Sequence, residues 1–390
     1  MYGDVMPHNT TSFDYIPRST DSAPFYGWID ITQRCNLRCP YCYTNSNQHT
    51  RAQLELDEIK EILLDFQQIG ATKVMISGGE PCLHPDIDRV MDFSAGEGLS
   101  VVLVTNGTLL PARVLPLLRN PGVEVQVSLD AVEAQRYKLS RGLNLLPQVL
   151  KNLDKLLDQG VRLSLSVTMS SVIEDHVEEI IEFALAKGIE FIHFGPMVPV
   201  GRGDGSRNLL INNYYPILSK LYKLQKIYYL QLGIDIVENL VYALVLNEKR
   251  DTYCNAMRGQ ALEVGSDGTV YCCGSLRDIP SFTLGDVKTT GLLEIYQKAR
   301  SQAMFPYLSV DKLPGCRECK FRYLCCGGCR AEAYNTSGGN IFALPSICQD
   351  MKRICTDILR DKEAGMLDEY LAFLQKRNSA LGNELFMKYL

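Results

Sequence analysis

Apolar residues recur with two different spacings between about residues 27 and 240, and the two spacings alternate along the chain. Short runs rich in Val and Ile are separated by segments in which apolar residues return every three to four positions, as Ile59, Ile62 and Phe66 do ahead of Gly70. The pattern predicts strands at 29–32, 73–76, 100–104, 124–128, 161–169 and 189–194, and helices at 56–70, 85–97, 112–118, 146–159 and 177–187.

Six strand–helix units with short connections predict a parallel sheet that is covered on both faces. The number of units favours an α/β fold built on a partial (β/α)6 TIM-like barrel. A doubly wound sheet is the alternative that the pattern leaves open.

The residues with the most distinctive chemistry follow the predicted strands at their carboxyl ends, where barrel enzymes build their active sites. We therefore expect them to meet at one mouth of the barrel. In chain order they are Cys35, Cys39 and Cys42 after the first strand, Gly78, Gly79 and Glu80 after the second, Asn106 after the third, and Ser128 and Asp130 after the fourth.

The first three cysteines have the spacing C-x3-C-x2-C on a short predicted loop. Thiolates select iron–sulfur clusters, zinc or copper(I) over hard cations. Three thiolates suit a 4Fe–4S cluster in which the fourth iron is left for another ligand. A zinc site, which prefers paired C-x2-C knuckles, and a set of buried free thiols are the alternatives.

This cysteine loop, with Tyr41 before its last cysteine, and the sequence Gly78-Gly79-Glu80-Pro81 resemble the radical SAM superfamily. The resemblance implies that the open iron chelates S-adenosylmethionine (SAM). It also implies that reduction of the cluster cleaves SAM to a 5′-deoxyadenosyl radical, which abstracts a hydrogen atom from the substrate.

The same resemblance implies a SAM-binding role for residues beyond the cysteines. Gly78 and Gly79 let the backbone approach the ligand, and Glu80 contacts the SAM amino group. Ser128 and Arg141 stand where this family holds the SAM carboxylate. The last two candidates, for ribose or cluster-side contacts, are Asn106 and Asp130.

A second group of cysteines occupies the C-terminal third of the chain and resembles the SPASM extension of radical SAM enzymes, which carries two auxiliary 4Fe–4S clusters. By that pattern one cluster takes Cys316, Cys319, Cys325 and Cys348, and the other takes Cys254, Cys273 and Cys329. The second set has only three cysteines, so its fourth iron is bound by a neighbour such as Cys272 or left open for substrate. The remaining thiols are expected to be packed in the core: Cys82, Cys326 and Cys355.

One position departs from a known subgroup of that family. Sulfatase-maturing members carry a catalytic Asp directly after the cysteine that matches Cys273, and here Gly274 stands in that place. The departure argues against sulfatase maturation.

The 390 residues, 46% of them hydrophobic, suffice for two or three domains. We expect a lead-in at 1–26, the radical SAM partial barrel at 27–240, the SPASM domain at 241–355 and a helical tail at 356–390 that caps the barrel. The formal net charge of −5 and the absence of long Lys/Arg runs argue against nucleic acid or an anionic membrane as a partner. No signal peptide or membrane span is recognisable, and oxygen-sensitive clusters favour the cytoplasm.

Three functions are open at this point. The first is hydrogen abstraction from a ribosomal peptide that installs a thioether or carbon–carbon crosslink, with or without a separate recognition protein, and with flavodoxin or ferredoxin as reductant. The second is maturation of a small molecule or cofactor, such as a tetrapyrrole or quinone precursor. The third is a non-enzymatic zinc-binding interaction protein.

Overall fold

The protein is built around one curved ten-stranded sheet whose central strands are all parallel. The computed structural model describes residues 16–17, 25–246, 248–301 and 308–381. The strands are β1 (Ile16–Pro17), β2 (Phe25–Thr32), β3 (Ala71–Gly78), β4 (Val101–Thr105), β5 (Val123–Ser128), β6 (Leu163–Met169), β7 (Phe191–Pro196), β8 (Gly233–Ile234), β9 (Glu248–Lys249), β10 (Ala261–Val264), β11 (Thr269–Tyr271) and β12 (Thr283–Asp286).

Helices connect the parallel strands and continue through the C-terminal third. They are α1 (Leu56–Ile69), α2 (Ile87–Gly96), α3 (Ala134–Arg141), α4 (Leu146–Asp158), α5 (Val177–Lys187), α6 (Tyr215–Tyr228), α7 (Asp235–Tyr242), α8 (Leu292–Ser301), α9 (Arg322–Cys325), α10 (Arg330–Thr336), α11 (Cys348–Glu363) and α12 (Asp368–Leu381).

The six strands β2 to β7 pair in chain order and are parallel throughout. Side chains from all six line one cavity, so the sheet curves around an interior as a partial barrel does. The predicted partial (β/α)6 barrel is confirmed, and the doubly wound alternative is wrong because a flat open sheet would enclose no such interior.

Helix α1 shows how the apolar pattern fixes the outer layer. It begins with a capping box between Glu55 and Glu58 and ends at Gly70, whose φ of 94° lies in the left-handed region. Its apolar face lies on β2, where a side chain at Gly27 would come within 2.8 Å of the Phe66 ring. The small residue on the strand therefore makes room for the large one on the helix.

The predicted helix at 112–118 is the clearest local error. The segment forms turns that end in a short 3-10 helix, Leu117–Arg119. Pro111 precedes the segment and Pro116 lies within it, and proline removes a backbone donor and restricts the residue before it. Strand β2 also begins earlier than predicted, at Phe25, because its first residues pair with β3 and β10.

The C-terminal third extends the same sheet. Strand β10 pairs in parallel with the outer edge of β2, and β11 and β12 add in antiparallel order. At the other end of the barrel α12 packs on α7 and α6, where Arg377 binds Glu238 and the rings of Tyr229 and Tyr370 lie 4.7 Å apart. Within the described residues, α12 thus packs against the outer helices of the barrel.

The proposed domain limits stay predictions. Residues 1–15, 18–24 and 382–390, which include most of the predicted lead-in and the end of the tail, lie outside the described residues. Among the helices that are described, none has the length and apolar character needed to cross a bilayer.

We expect Phe66→Ala to lower the free energy of unfolding of the barrel by about 3–5 kcal/mol, because it leaves a cavity between α1 and β2. Urea denaturation measures the change. Ile227→Ala, at a side chain that is 66% exposed, is the matched control and should cost no more than about 0.5 kcal/mol. Equal losses in the two variants would contradict the packing described here.

Candidate active site

The interior of the barrel carries polar side chains among apolar ones. On β5 the valines Val123, Val125 and Val127 point outward into the core, while Glu124, Gln126 and Ser128 point inward. Most barrels fill this space with Val, Ile and Leu. Here the inward residues surround a cavity of about 370 Å³. A polar, partly open interior indicates a chamber for a ligand.

The cysteine loop lies at the mouth of this chamber, and Cys35, Cys39 and Cys42 all line it. The loop is held by residues that are distant in sequence. The Arg38 amide donates to the Arg141 carbonyl oxygen at 3.3 Å, and a side chain at Gly142 would meet the Arg38 carbonyl oxygen at 2.4 Å.

The three thiols fit a cluster better than a single ion. All 14 cysteines are free. Burial, together with the neighbouring charges of Glu80, Cys39 and Cys42, raises the pKa of Cys35 to about 12, so the thiol keeps its proton until a metal displaces it. Among the described residues no three His, Cys, Asp or Glu side chains converge on one point as a zinc ion requires. A 4Fe–4S cluster binds each sulfur to a different iron and needs no such convergence.

Gly78 and Gly79 are required by a close crossing of two chain segments. A Cβ at Gly78 would lie 2.2 Å from the Thr32 carbonyl oxygen, and one at Gly79 would lie 2.3 Å from that of Arg34. The Gly79 amide donates to the Thr32 carbonyl oxygen at 2.7 Å. The glycines therefore press the second loop against the start of the cysteine loop, and both also line the chamber.

Glu80 organises this crossing. Its carboxylate accepts hydrogen bonds from the Cys82 amide at 3.0 Å, the Thr105 hydroxyl at 2.7 Å and the Asn106 amide at 2.8 Å. Burial raises the pKa of Glu80, and these hydrogen bonds lower it in part. Glu80 is not among the described residues that line the chamber. Its contact with the SAM amino group stays a prediction.

Asn106 lies at the mouth itself. Its side-chain amide donates to the Asn36 side-chain oxygen at 2.9 Å and approaches the Cys35 sulfur at 3.8 Å. A hydrogen-bond donor beside a sulfur that ligates an iron–sulfur cluster partly offsets the negative charge of that sulfur and raises the reduction potential of the cluster. The contact of Asn106 with the cluster side or with ribose stays a prediction.

Arg141 and Asp130 form a buried ion pair at 2.8 Å. Asp130 also accepts hydrogen bonds from the Tyr41 hydroxyl and from the Thr168 amide, the latter at 2.8 Å. Its oxygens are thus engaged by the protein, which favours a positioning role, and contact with ribose stays a prediction. The Nε of Arg141 is buried without a hydrogen-bond partner among the described residues, and Arg141 and Ser128 both line the chamber. A ligand carboxylate would satisfy that donor.

The C-terminal cysteines of the two expected sets affect one another's pKa. Burial is the main cause of the raised pKa of Cys273, and Cys254, Cys329, Glu263 and Cys272 add to it. In the other set, Cys348 and Cys319 raise the pKa of Cys316, and Cys319 and Cys316 raise that of Cys325. Their roles as ligands stay predictions. The thiols expected in the core are buried there: Cys82, Cys326 and Cys355.

Gly274 is explained by the carboxylate beside it. A Cβ at Gly274 would lie 1.9 Å from Oε2 of Glu263, so no larger residue fits. Glu263 binds Arg277, which also pairs with Asp30 at 2.8 Å. Burial and the nearby Asp30 raise the pKa of Glu263 to about 7, although Arg277 lowers it. This buried group of charged side chains joins β2 of the barrel to the C-terminal strand β10.

The sequence reading missed the chamber residues that lie deeper in the barrel. Trp28, Lys73, Glu124 and His193 all line the cavity. The sequence does contain a pattern that indicates these inward positions, because β5 and β6 alternate apolar and polar residues. A parallel strand that is buried on both faces would instead be a continuous apolar run. The alternation marks the inward face of the barrel.

We expect Gly79→Ala to displace the cysteine loop, since the added methyl group would overlap the Arg34 carbonyl. Iron bound per chain after anaerobic reconstitution should fall by about a third relative to the unaltered protein, because only one of the three expected 4Fe–4S clusters depends on this loop. Gly96→Ala is the control, because a Cβ there meets nothing within 4 Å. Full iron loading of Gly79→Ala would refute the proposed crowding.

Two family models match this chain. The radical SAM superfamily model matches residues 29–184, which contain β2 to β6 and the cysteine loop. The model of the SPASM iron–sulfur cluster-binding domain matches residues 254–320. Together they cover more than half of the chain.

Two curated relatives come from Methanosarcina barkeri. An AdoMet-dependent heme synthase is 27% identical over 337 residues, which is 82% of this chain and 94% of the relative. An Fe-coproporphyrin III synthase is 27% identical over 188 residues, covering 48% of this chain and 47% of the relative.

A solved structure shares the fold over nearly the whole chain. Native anSMEcpe with bound AdoMet and the Cp18Cys peptide superposes with a TM-score of 0.71, at 20% identity, covering 91% of this chain and 99% of that one. The partial barrel, the cysteine loop at its mouth and the two matching family models lead to one conclusion. The chain belongs to the radical SAM superfamily and carries a C-terminal SPASM iron–sulfur cluster-binding domain.

Proposed function

We propose that this chain binds SAM and a 4Fe–4S cluster at the mouth of the barrel and abstracts a hydrogen atom from a tetrapyrrole held in the chamber. When bound, the cluster and SAM supply the 5′-deoxyadenosyl radical chemistry of the superfamily. The observation that carries the proposal is that Arg141, whose buried Nε has no hydrogen-bond partner among the described residues, lines the same cavity as Cys35, Cys39 and Cys42.

The residues of the mouth have separate tasks in this proposal. Cys35, Cys39 and Cys42 hold the cluster. The guanidinium of Arg141 binds the SAM carboxylate, and Asp130 holds that guanidinium in place at 2.8 Å. The close contact of Gly78 and Gly79 with the start of the cysteine loop fixes the distance between that loop and the loop after β3. SAM and the substrate can therefore meet in one orientation.

A tetrapyrrole is supported by the relatives and by the chamber. A relative that this chain matches over 94% of its length is named AdoMet-dependent heme synthase. Coproporphyrins carry carboxylate side chains, and the chamber presents the donors of Trp28, Lys73 and His193 to such groups. The proposal thus prefers the cofactor-maturing alternative to the peptide one.

Peptide modification, by thioether or carbon–carbon crosslinking, is the second candidate. It is favoured by the set Cys254, Cys273 and Cys329, which leaves one iron of an auxiliary cluster free for a substrate thiolate unless Cys272 binds it. In either case we propose three 4Fe–4S clusters, one at the mouth and two in the SPASM domain. A peptide substrate would arrive with or without a separate recognition protein.

The electron donor in this proposal is an acidic protein such as flavodoxin or ferredoxin. Arg34 and Arg38 flank the cluster cysteines and are exposed, so the loop presents positive charge to such a partner.

The decisive experiment gives the reduced, reconstituted enzyme SAM together with either Fe-coproporphyrin III or a small cysteine-containing peptide. We expect 5′-deoxyadenosine to accumulate faster with the porphyrin, and the porphyrin mass to change. A peptide that loses two hydrogens, with the porphyrin unaltered, would establish the second candidate instead. Absence of 5′-deoxyadenosine with both would refute the radical function.

Arg141→Lys should weaken SAM binding by roughly tenfold or more, because Lys keeps the charge but loses the planar fork and its Nε donor. Equilibrium dialysis with labelled SAM measures the dissociation constant. Lys138→Ala, an exposed position on the same helix, is the matched control and should bind SAM normally. Unchanged affinity in Arg141→Lys would remove Arg141 from the SAM site.

A further inference from the structure

The open side of the barrel is flanked by its first and last central strands, β2 and β7. No hydrogen bonds join these two strands in the described sheet, which continues outward to β10 on one side and β8 on the other. Trp28 projects inward from β2 and His193 projects inward from β7, and both line the chamber. A substrate that enters from this side passes between them.

His193 is held with one ring nitrogen free. Its Nδ1 binds Oδ2 of Asp235 at the start of α7. The other carboxylate oxygen accepts from the Phe194 amide at 2.8 Å and the Ile236 amide at 2.6 Å, so Asp235 is fixed in place. With Nδ1 engaged, Nε2 is the atom left to contact a ligand.

The space around Nε2 is kept open. The His193 side chain is 46% exposed, and His193 is one of the residues that line the chamber. Gly195, two residues further along β7, is the next inward position, and a Cβ there would lie 3.3 Å from Nε2. Absence of a side chain at Gly195 leaves the imidazole accessible from the side of the cysteine loop.

The charge on His193 favours an anionic ligand. Burial lowers the pKa of His193, but the adjacent carboxylate of Asp235 raises it by more, so the pKa lies above its usual value. The other charged residues that line the chamber are Lys73, Glu124, Arg141 and Arg202. Glu124 is engaged by Lys73 at 3.7 Å and by the Ser164 hydroxyl at 2.8 Å, so it does not compete for the imidazole.

Trp28 adds a second donor. Its indole Nε1 is buried and has no hydrogen-bond partner among the described residues. An indole N–H can only donate, and a buried donor left unpaired is unfavourable. A chamber ligand with an acceptor oxygen would remove that cost.

We propose that Nε2 of His193 and Nε1 of Trp28 bind a carboxylate of the substrate inside the barrel, below the SAM site. The inference rests on the proposed function in that the bound molecule is the substrate of the radical step. Anchored there, a side-chain carboxylate would turn the carbon beside it toward the cysteine loop. His193 and Trp28 are then the residues that determine specificity for an acidic substrate.

Binding to the reconstituted holoenzyme in the presence of SAM tests this. Fe-coproporphyrin III is the first probe, followed by its absorbance change, and its tetramethyl ester is the uncharged counterpart. Labelled propionate, followed by equilibrium dialysis, is the second probe. The variants are His193→Gln and Trp28→Phe, with His176→Gln on the outer helix α5 as the matched control. Iron content verifies that each variant is folded and loaded.

We expect His193→Gln and Trp28→Phe each to raise the dissociation constant of Fe-coproporphyrin III roughly fivefold or more, and His176→Gln to leave it unchanged. The tetramethyl ester should bind the His193→Gln variant and the unaltered enzyme equally. Equal affinity of the acid for His193→Gln and the unaltered enzyme would overturn the inference.

The two probes separate this inference from the proposed function. Propionate binding that depends on His193, without porphyrin binding or turnover, would sustain the carboxylate site and refute the tetrapyrrole proposal. Porphyrin turnover that is unchanged in both His193→Gln and Trp28→Phe would support the tetrapyrrole proposal and refute the carboxylate site. Failure of the unaltered enzyme to bind either acid would overturn the carboxylate site.

Discussion

The fully buried carboxylate of Asp130 connects the parts of the active site. It reaches Tyr41 in the cysteine loop, Arg141 at the end of α3 and the Thr168 amide in β6, three segments that are distant in sequence. A buried charge is tolerated only when its partners are in place, and removal of one partner costs about 3–5 kcal/mol. The site is therefore assembled as a unit, with the Arg141 guanidinium and the cysteine loop positioned by the same pair of carboxylate oxygens.

Residue types predicted the chemistry of this site better than they predicted its contacts. The cysteine spacing and the two glycines could be recognised because few other residues serve those purposes. Glu80 and Asp130 were identified as important, yet both face protein groups, and no linear pattern reveals which way a buried carboxylate points. His193 was missed because its partner Asp235 is 42 residues away in sequence and on another element. The fold was predictable because strand and helix periodicities are local, and the helix at 112–118 failed where prolines interrupt them.

The SPASM region and the barrel share one β-sheet. Strand β10 pairs directly with β2, and Arg277 bridges Asp30 of β2 and Glu263 of β10. Gly274, next to Cys273, has no room for a side chain because Glu263 occupies that place. A carboxylate is thus present beside Cys273, but it is supplied by a neighbouring strand and neutralised by Arg277. The missing Asp is a consequence of this packing.

The contact between Arg38 and the segment Arg141–Gly142 has a consequence for biosynthesis. The cysteine loop leaves the ribosome about a hundred residues before the segment that shelters it. At ordinary elongation rates of about 5–20 residues per second, the three thiols spend several seconds without their native surroundings. The cysteine loop therefore reaches its native surroundings only after α3 has been synthesised, and until then the nascent thiols depend on the reducing capacity of the compartment in which they emerge.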